Sequence, residues 1–128
     1  PYQLMAELGS TMERAAAVRC DAQSLAAAIK TIDNDLAPRA QALAAHDKAA
    51  TFNQEITAIW EVRHLIMLAQ AVLAASDARH ESRGSLKRTD FPDRDDEHFL
   101  AHSMTDAAHE VSWQPVHIVD MPPKKREY

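Results

Sequence analysis

The sequence predicts a mainly α fold. An antiparallel three-helix bundle of the spectrin-repeat kind is expected over residues 1–78, followed over 79–128 by an Arg/Asp-rich irregular loop, a small β-hairpin and an extended tail, packed as one domain with the bundle. Three observations lead there. The 128-residue length suits a single domain with one modest core. Composition changes near residue 79, because 21 of the 24 alanines lie in 1–78 while four of the six prolines lie beyond residue 91. The alanine-rich part carries three amphipathic stretches joined by short polar links, whose apolar stripes are most simply buried against one another.

Leu4, Met5, Leu8 and Met12 recur at three- and four-residue spacings and line one face of a first helix ending near Val18. Asp21 is a natural N-cap for a second helix with the stripe Leu25, Ile29, Ile32, Leu36 and Leu43, broken or kinked near Pro38. After the polar link at 46–50, Thr51 and Gln54 have capping-box spacing, and a third helix runs to about Ala78. On it Trp60, Ile66 and Met67 are expected in the core. The apolar run 56–75 contains Glu61, Arg63 and His64, which would be costly in a bilayer, so it is expected to be a core helix without membrane insertion. Further on, His102–Thr105 and Glu110–Ile118 pair as strands across a turn at Asp106-Ala107-Ala108, with Pro115 at an edge or strand end. The tail Met121–Tyr128, with paired prolines, is expected to be extended.

Composition also bounds function. Gly9 and Gly84 are the only glycines, which excludes a phosphate-cradling loop or a dinucleotide fingerprint within this chain. A net charge of -5 offers no basic field for nucleic acid. The single Cys20 permits no internal disulfide and fits a reducing, cytoplasmic location. The helical pattern starts directly at Pro1, which suggests a piece of something longer.

Residues 79–97, RHESRGSLKRTDFPDRDDE, place five basic and six acidic side chains in nineteen positions. Alternating guanidinium and carboxylate groups can hold an irregular backbone through charge-assisted, bidentate hydrogen bonds. The order Arg79, Glu81-Ser82-Arg83-Gly84, Arg88, Asp90-Phe91-Pro92, Arg94-Asp95-Asp96 and Leu100 resembles the C-terminal signature of the succinate dehydrogenase and fumarate reductase flavoprotein subunits. Glu61-Val62-Arg63-His64-Leu65 with Leu68-Ala69, and the closing Pro122–Tyr128, are similar to the family's long helix and chain end. Ser85-Leu86 stands where the family has a small residue and histidine, and Phe99 where tryptophan is common. The missing histidine leaves the family branch open, with L-aspartate oxidase and adenylylsulfate reductase as relatives.

The resemblance implies a C-terminal structural domain of an FAD-dependent oxidoreductase interconverting succinate and fumarate. It implies that FAD, the dicarboxylate site and the catalytic residues belong to preceding flavin-binding and capping domains, so that no residue here is catalytic or cofactor-binding. Partners implied are those two domains and an iron–sulfur subunit, with membrane association through partner subunits. Arg79, Glu81, Arg83, Arg88, Asp90, Arg94 and Asp95 are the domain-docking candidates, and Arg83 and Arg94 are expected in buried or half-buried ion pairs.

Two other readings remain open on the residues themselves. One is a free-standing helical module whose charged loop binds another protein. The other is a metal site in which His98 and His102, four apart on one helical face, join Asp95 and Asp96. Cys20, ahead of a helix start, has a structural role or gains slight thiolate stabilisation there.

Overall fold

Leu4, Leu8, Thr11 and Ala15 share one face of α1 (Tyr2–Ala16), and all four are buried. That face supplies the first wall of the core. In the computed structural model, which describes residues 1–124, the chain is mainly helical with one two-stranded antiparallel sheet. Part of the tail expected to be extended, residues 125–128, lies outside the described residues.

Helix α2 (Ala22–Thr31) begins on a reciprocal cap. The Asp21 carboxylate accepts the Ser24 N–H at 2.7 Å, and the Ser24 hydroxyl accepts the Asp21 N–H at 3.1 Å, which satisfies two otherwise free amides. The helix continues through a π turn over Ile32–Leu36 into α3 (Ala37–Ala42). The break expected near Pro38 takes this form, with the Ala37 N–H reaching back to the Ile32 carbonyl. Proline has no N–H to give and its ring presses on the carbonyl four residues earlier, here Asn34; a wider turn just upstream accommodates both. Leu25, Ala28, Ile32, Leu36 and Ala40 face inward along this continuous rod.

Helix α4 (Gln54–Ala78) is capped by Asn53, whose side-chain oxygen accepts the Ile56 N–H at 3.2 Å. The expected Thr51 cap does not form because Phe52 has a positive φ of 55° and lies outside the helix. Ala58, Ile59, Val62, Ile66, Ala69 and Leu73 are buried. Trp60 and Met67, expected in the core beside Ile66, are instead exposed on the outer face. On a helix apolar on every side, the sequence pattern does not mark which side turns inward. Arg63 closes the end of α3: its guanidinium donates to the carbonyls of Ala40, Gln41 and Leu43 at 2.9, 3.0 and 3.1 Å.

After the loop, α5 (Asp96–Phe99) leads into β1 (Ala101–Thr105), paired with β2 (Val111–Pro115) in the register Ala101↔Pro115 to Thr105↔Val111. The second strand stops at Pro115 rather than at Ile118, because proline cannot donate to the ladder. The core thus lies where α1, α2 and α4 meet, with Cys20 at its edge and the hairpin against α4.

Leu73 is fully buried and Leu68 exposed on the same helix. Leu73→Ala is expected to cost about 2–5 kcal/mol by urea unfolding, and Leu68→Ala within about 0.5 kcal/mol of nothing. Equal losses would contradict this orientation of α4.

Candidate functional site

The segment 79–100 is the chemically distinctive part of the chain, and it folds around Glu81, whose exposure is 0%. An ionised carboxylate removed from water survives only with cations and hydrogen-bond donors around it. Glu81 has both. Arg79 Nη1 and Arg83 Nε donate to its Oε1 at 2.6 and 2.7 Å, while Arg83 Nη2 and the Asp95 N–H donate to Oε2 at 2.9 and 2.8 Å. Burial by itself would raise this carboxyl. Arg83, the Asp95 amide and Arg79 outweigh burial and hold it below its ordinary 4.5.

Each arginine around Glu81 then ties a second element. Arg79 donates to the carbonyls of Phe99 and Ala101 at 2.8 and 2.7 Å and to the Ser103 hydroxyl at 2.9 Å, and its guanidinium lies 4.7 Å from the Trp113 ring centre. Such contacts anchor the hairpin through charge and ring face together. Arg83 Nη2 also reaches Asp96 Oδ1 at 2.6 Å, and Arg94 Nη2 pairs with Asp96 Oδ2 at 2.7 Å. The ion pairs expected for Arg83 and Arg94 therefore form within the loop, both partly buried. Gly84, with φ of +59°, makes the tight turn in which Arg83 and Leu86 exchange backbone hydrogen bonds at 3.0 Å; an L side chain there would be strained.

A second pair joins two helix ends. Arg88, 2% exposed, meets Asp90 with both Nε and Nη2 at 2.8 and 2.7 Å, and its Nη1 donates to the carbonyls of Ser76 and Asp77 at 2.7 and 3.1 Å. Asp90 Oδ2 in turn accepts the Ala22 N–H at 2.9 Å. The cation sits at the negative end of α4 and the anion at the positive end of α2, each where the helix dipole favours it. Arg88 first, against the opposing effect of burial and with help from the Ala22 N–H, keeps the Asp90 carboxyl well below the usual carboxylate range. Between these ends, Cys20 and Thr89 stitch the α1–α2 connection to the loop, with the Cys20 N–H donating to the Lys87 carbonyl at 2.9 Å and the Thr89 N–H to the Cys20 carbonyl at 2.8 Å.

The docking candidates divide accordingly. Glu81 and Arg88 are corrected: both are enclosed by this chain's own atoms, so neither presents a surface to a partner. Arg79 is nearly so. Arg83, Asp90, Arg94 and Asp95 keep outer edges. Ser82 is a member that sequence reasoning missed; its hydroxyl accepts the Arg88 N–H at 2.9 Å and donates to the Phe91 carbonyl at 2.8 Å. Its only signal was its place between Glu81 and Arg83.

The metal arrangement does not assemble. The helical face needed by His98 and His102 is absent, since α5 ends at Phe99 and His102 lies in β1. The Asp95 carboxylate is used by the His98 ring at 2.8 Å and by the Glu97 and His98 amides, while Asp96 is turned to Arg83 and Arg94. Among the described residues no three His, Cys, Asp or Glu side chains are grouped to share an ion. Cys20 is buried, and burial pushes its thiol up instead of favouring the thiolate. A depression of about 180 Å³ beside Arg79 and Arg83 has both cations already turned to Glu81. The geometry supports a self-contained structural clasp.

The family model described as the fumarate reductase flavoprotein C-terminal region matches residues 5–128. A fumarate reductase flavoprotein subunit of Mycobacterium tuberculosis is 38% identical over 129 residues, covering 98% of this chain and 22% of the relative. The 8-methylmenaquinol:fumarate reductase flavoprotein subunit of Wolinella succinogenes is 30% identical over 110 residues, covering 83% of this chain and 18% of the relative. A solved chain of Escherichia coli quinol fumarate reductase FrdA superposes with a TM-score of 0.86 at 25% identity, over 97% of this chain and 22% of that one. This chain thus spans about a fifth of the length of such relatives.

Because the folded carboxyls of Glu81 and Asp90 lie below their ordinary values, their stabilisation is complete above pH 4.5 and is lost as the pH falls through the lowered values. Glu81→Gln leaves Arg79 without its anion and Arg83 with Asp96 alone, and is expected to cost about 3–5 kcal/mol at pH 7. Its urea midpoint should also fall less than the wild type's between neutral and acid pH. Parallel acid limbs for the two proteins would rule out Glu81 as the buried anion.

Proposed function

The chain belongs to the family of fumarate reductase flavoprotein C-terminal domains, and from that premise we propose that it braces the flavin-binding part of an FAD-dependent subunit interconverting succinate and fumarate. The observation that carries this reading is where the family-like segment lies: its arginine and carboxylate side chains hydrogen-bond to α2, α4, α5 and the hairpin. A domain held this way offers a fixed surface against which a flavin site can be kept in shape. The reading takes the helices as a spectrin-like antiparallel bundle of three rods, and the bundle and the 79–128 segment as one domain.

FAD, held by the flavin-binding part, supplies the hydride chemistry, and we assign this chain no catalytic or cofactor-binding residue. Its work is packing and orientation. The partners are the flavin-binding and capping domains of the subunit, with the outer edges of Arg83, Asp90, Arg94 and Asp95 available to the interface. An iron–sulfur subunit, and membrane association through further subunits, complete the proposed setting on the cytoplasmic side.

The test is reconstitution. The flavin-binding part of the Mycobacterium tuberculosis relative, prepared without its matching C-terminal region, is assayed for bound FAD and for fumarate-dependent oxidation of a reduced viologen dye. Adding this chain in equal amount should raise both flavin retention and rate. Identical values with and without the chain would refute the bracing role.

A further inference from the structure

The hairpin turn closes on a histidine where the backbone favours glycine or asparagine. His109 has a positive φ of 62°, in the left-handed region. Its own turn keeps it there: the His109 N–H donates to the Asp106 carbonyl at 3.1 Å, and Asp106 Oδ1 accepts the N–H groups of Ala108 and Glu110 at 2.9 and 3.0 Å. A strained position filled by a large side chain points to a task for that side chain. The imidazole enters a cleft between the α2 rod and α4, where Ile29, Asp33, Gln70 and Ala74 complete the lining of a cavity of about 50 Å³. Among the described residues, His109 Nδ1 is the one side-chain nitrogen or oxygen that is fully enclosed without a hydrogen-bond partner in the protein. A polar atom so placed costs stability unless something in the cavity meets it. The same cavity is lined by Asp33, on the π turn, whose Oδ1 accepts Gln70 Nε2 at 2.8 Å. A carboxylate can accept about four hydrogen bonds and donates none, so acceptor sites remain on Asp33.

We infer that one ordered water binds in this cavity, accepting a hydrogen bond from His109 Nδ1–H and donating one to the Asp33 carboxylate, and that this link latches the hairpin turn to the helices. The volume exceeds the roughly 10–15 Å³ that a water needs and is far below the ~300 Å³ of a small-molecule pocket. The polar groups match too. Because the carboxylate only accepts, the water turns a hydrogen to it and keeps a lone pair for the ring, which fixes the imidazole in its Nδ1–H tautomer. The Gln70 amide on the same wall is a third polar contact. A divalent ion is a poorer occupant, since the cavity offers it one imidazole and one carboxylate, with that amide as the only further donor. The hairpin is then held at both ends: at its base by Arg79 on the Ala101 carbonyl, and at its turn by His109 through water.

The first measurement needs no substitution in the protein under test. Wild-type chain carrying ¹⁵N-histidine, studied by NMR at alkaline pH where an imidazole is neutral, should show a protonated Nδ1 and a bare Nε2 for His109, with a water cross-peak to the Nδ1 proton. His109→Asn tolerates the left-handed backbone but its shorter side chain stops short of the cavity. That variant and Asp33→Ala should each speed amide exchange in the hairpin about 5-fold, the factor that one lost hydrogen bond brings. Combined, they should give little more than either alone, as the two ends of one link. An Nε2–H tautomer, a missing water cross-peak, or rates that multiply in the double variant would each overturn the inference. A stoichiometric metal in the purified protein, whose removal by a chelator alters the His109 ring signals, would assign the cavity to an ion and overturn it as well.

Discussion

A carboxylate with no exposed atom has lost its water, and it stays charged only if the protein replaces that water with cations and amides in the right places. Glu81 imposes this demand on everything after α4. Two guanidinium groups and one backbone N–H answer it. Because those guanidinium groups carry further donors, each passes the constraint outward: Arg79 to the hairpin, Arg83 to Asp96 and thence to Arg94. An irregular stretch with almost no regular structure is thereby given one conformation.

The Arg88–Asp90 pair applies the same physics to the helices. Their ends leave unpaired carbonyls on α4 and unpaired amides on α2, groups that normally face water. Placing the cation at one end and the anion at the other satisfies both, and the bidentate contact between them fixes the distance separating α4 from α2. The loop is therefore part of what positions the helices. Its charge is largely spent within the chain.

Much of this was legible in the residues. The stripe Leu25, Ile32 and Leu36 and the Asp21 cap placed the second helix, and Pro38 signalled its irregularity, although not that a π turn would carry the rod past it. The hairpin followed from alternation and turn residues. The Thr51 cap failed because a positive φ at Phe52 is a tertiary outcome that no local pattern encodes. Trp60 and Met67 were misplaced for a related reason: where every side of a helix is apolar, periodicity carries no direction. In the loop, the charge alternation marked side chains that do form ion pairs, yet which group meets which is set by three-dimensional approach. Hence Glu81 and Arg88 read as surface groups when they are the most enclosed, and His102 read as a helical partner of His98 when it lies on a strand.

The ion pairs of the arginine–carboxylate loop close within this chain. Hydrogen exchange of the guanidinium groups in the isolated protein, read from the arginine Nε–H signals by NMR, tests most directly whether they order the loop with no partner present. The account predicts slowly exchanging, well-resolved Nε–H resonances for Arg83 and Arg88, which donate to Glu81 and Asp90 at 2.7 and 2.8 Å, beside fast exchange at the exposed Arg14 and Arg19. Equally fast exchange at all four, in chain that is otherwise folded, would contradict it.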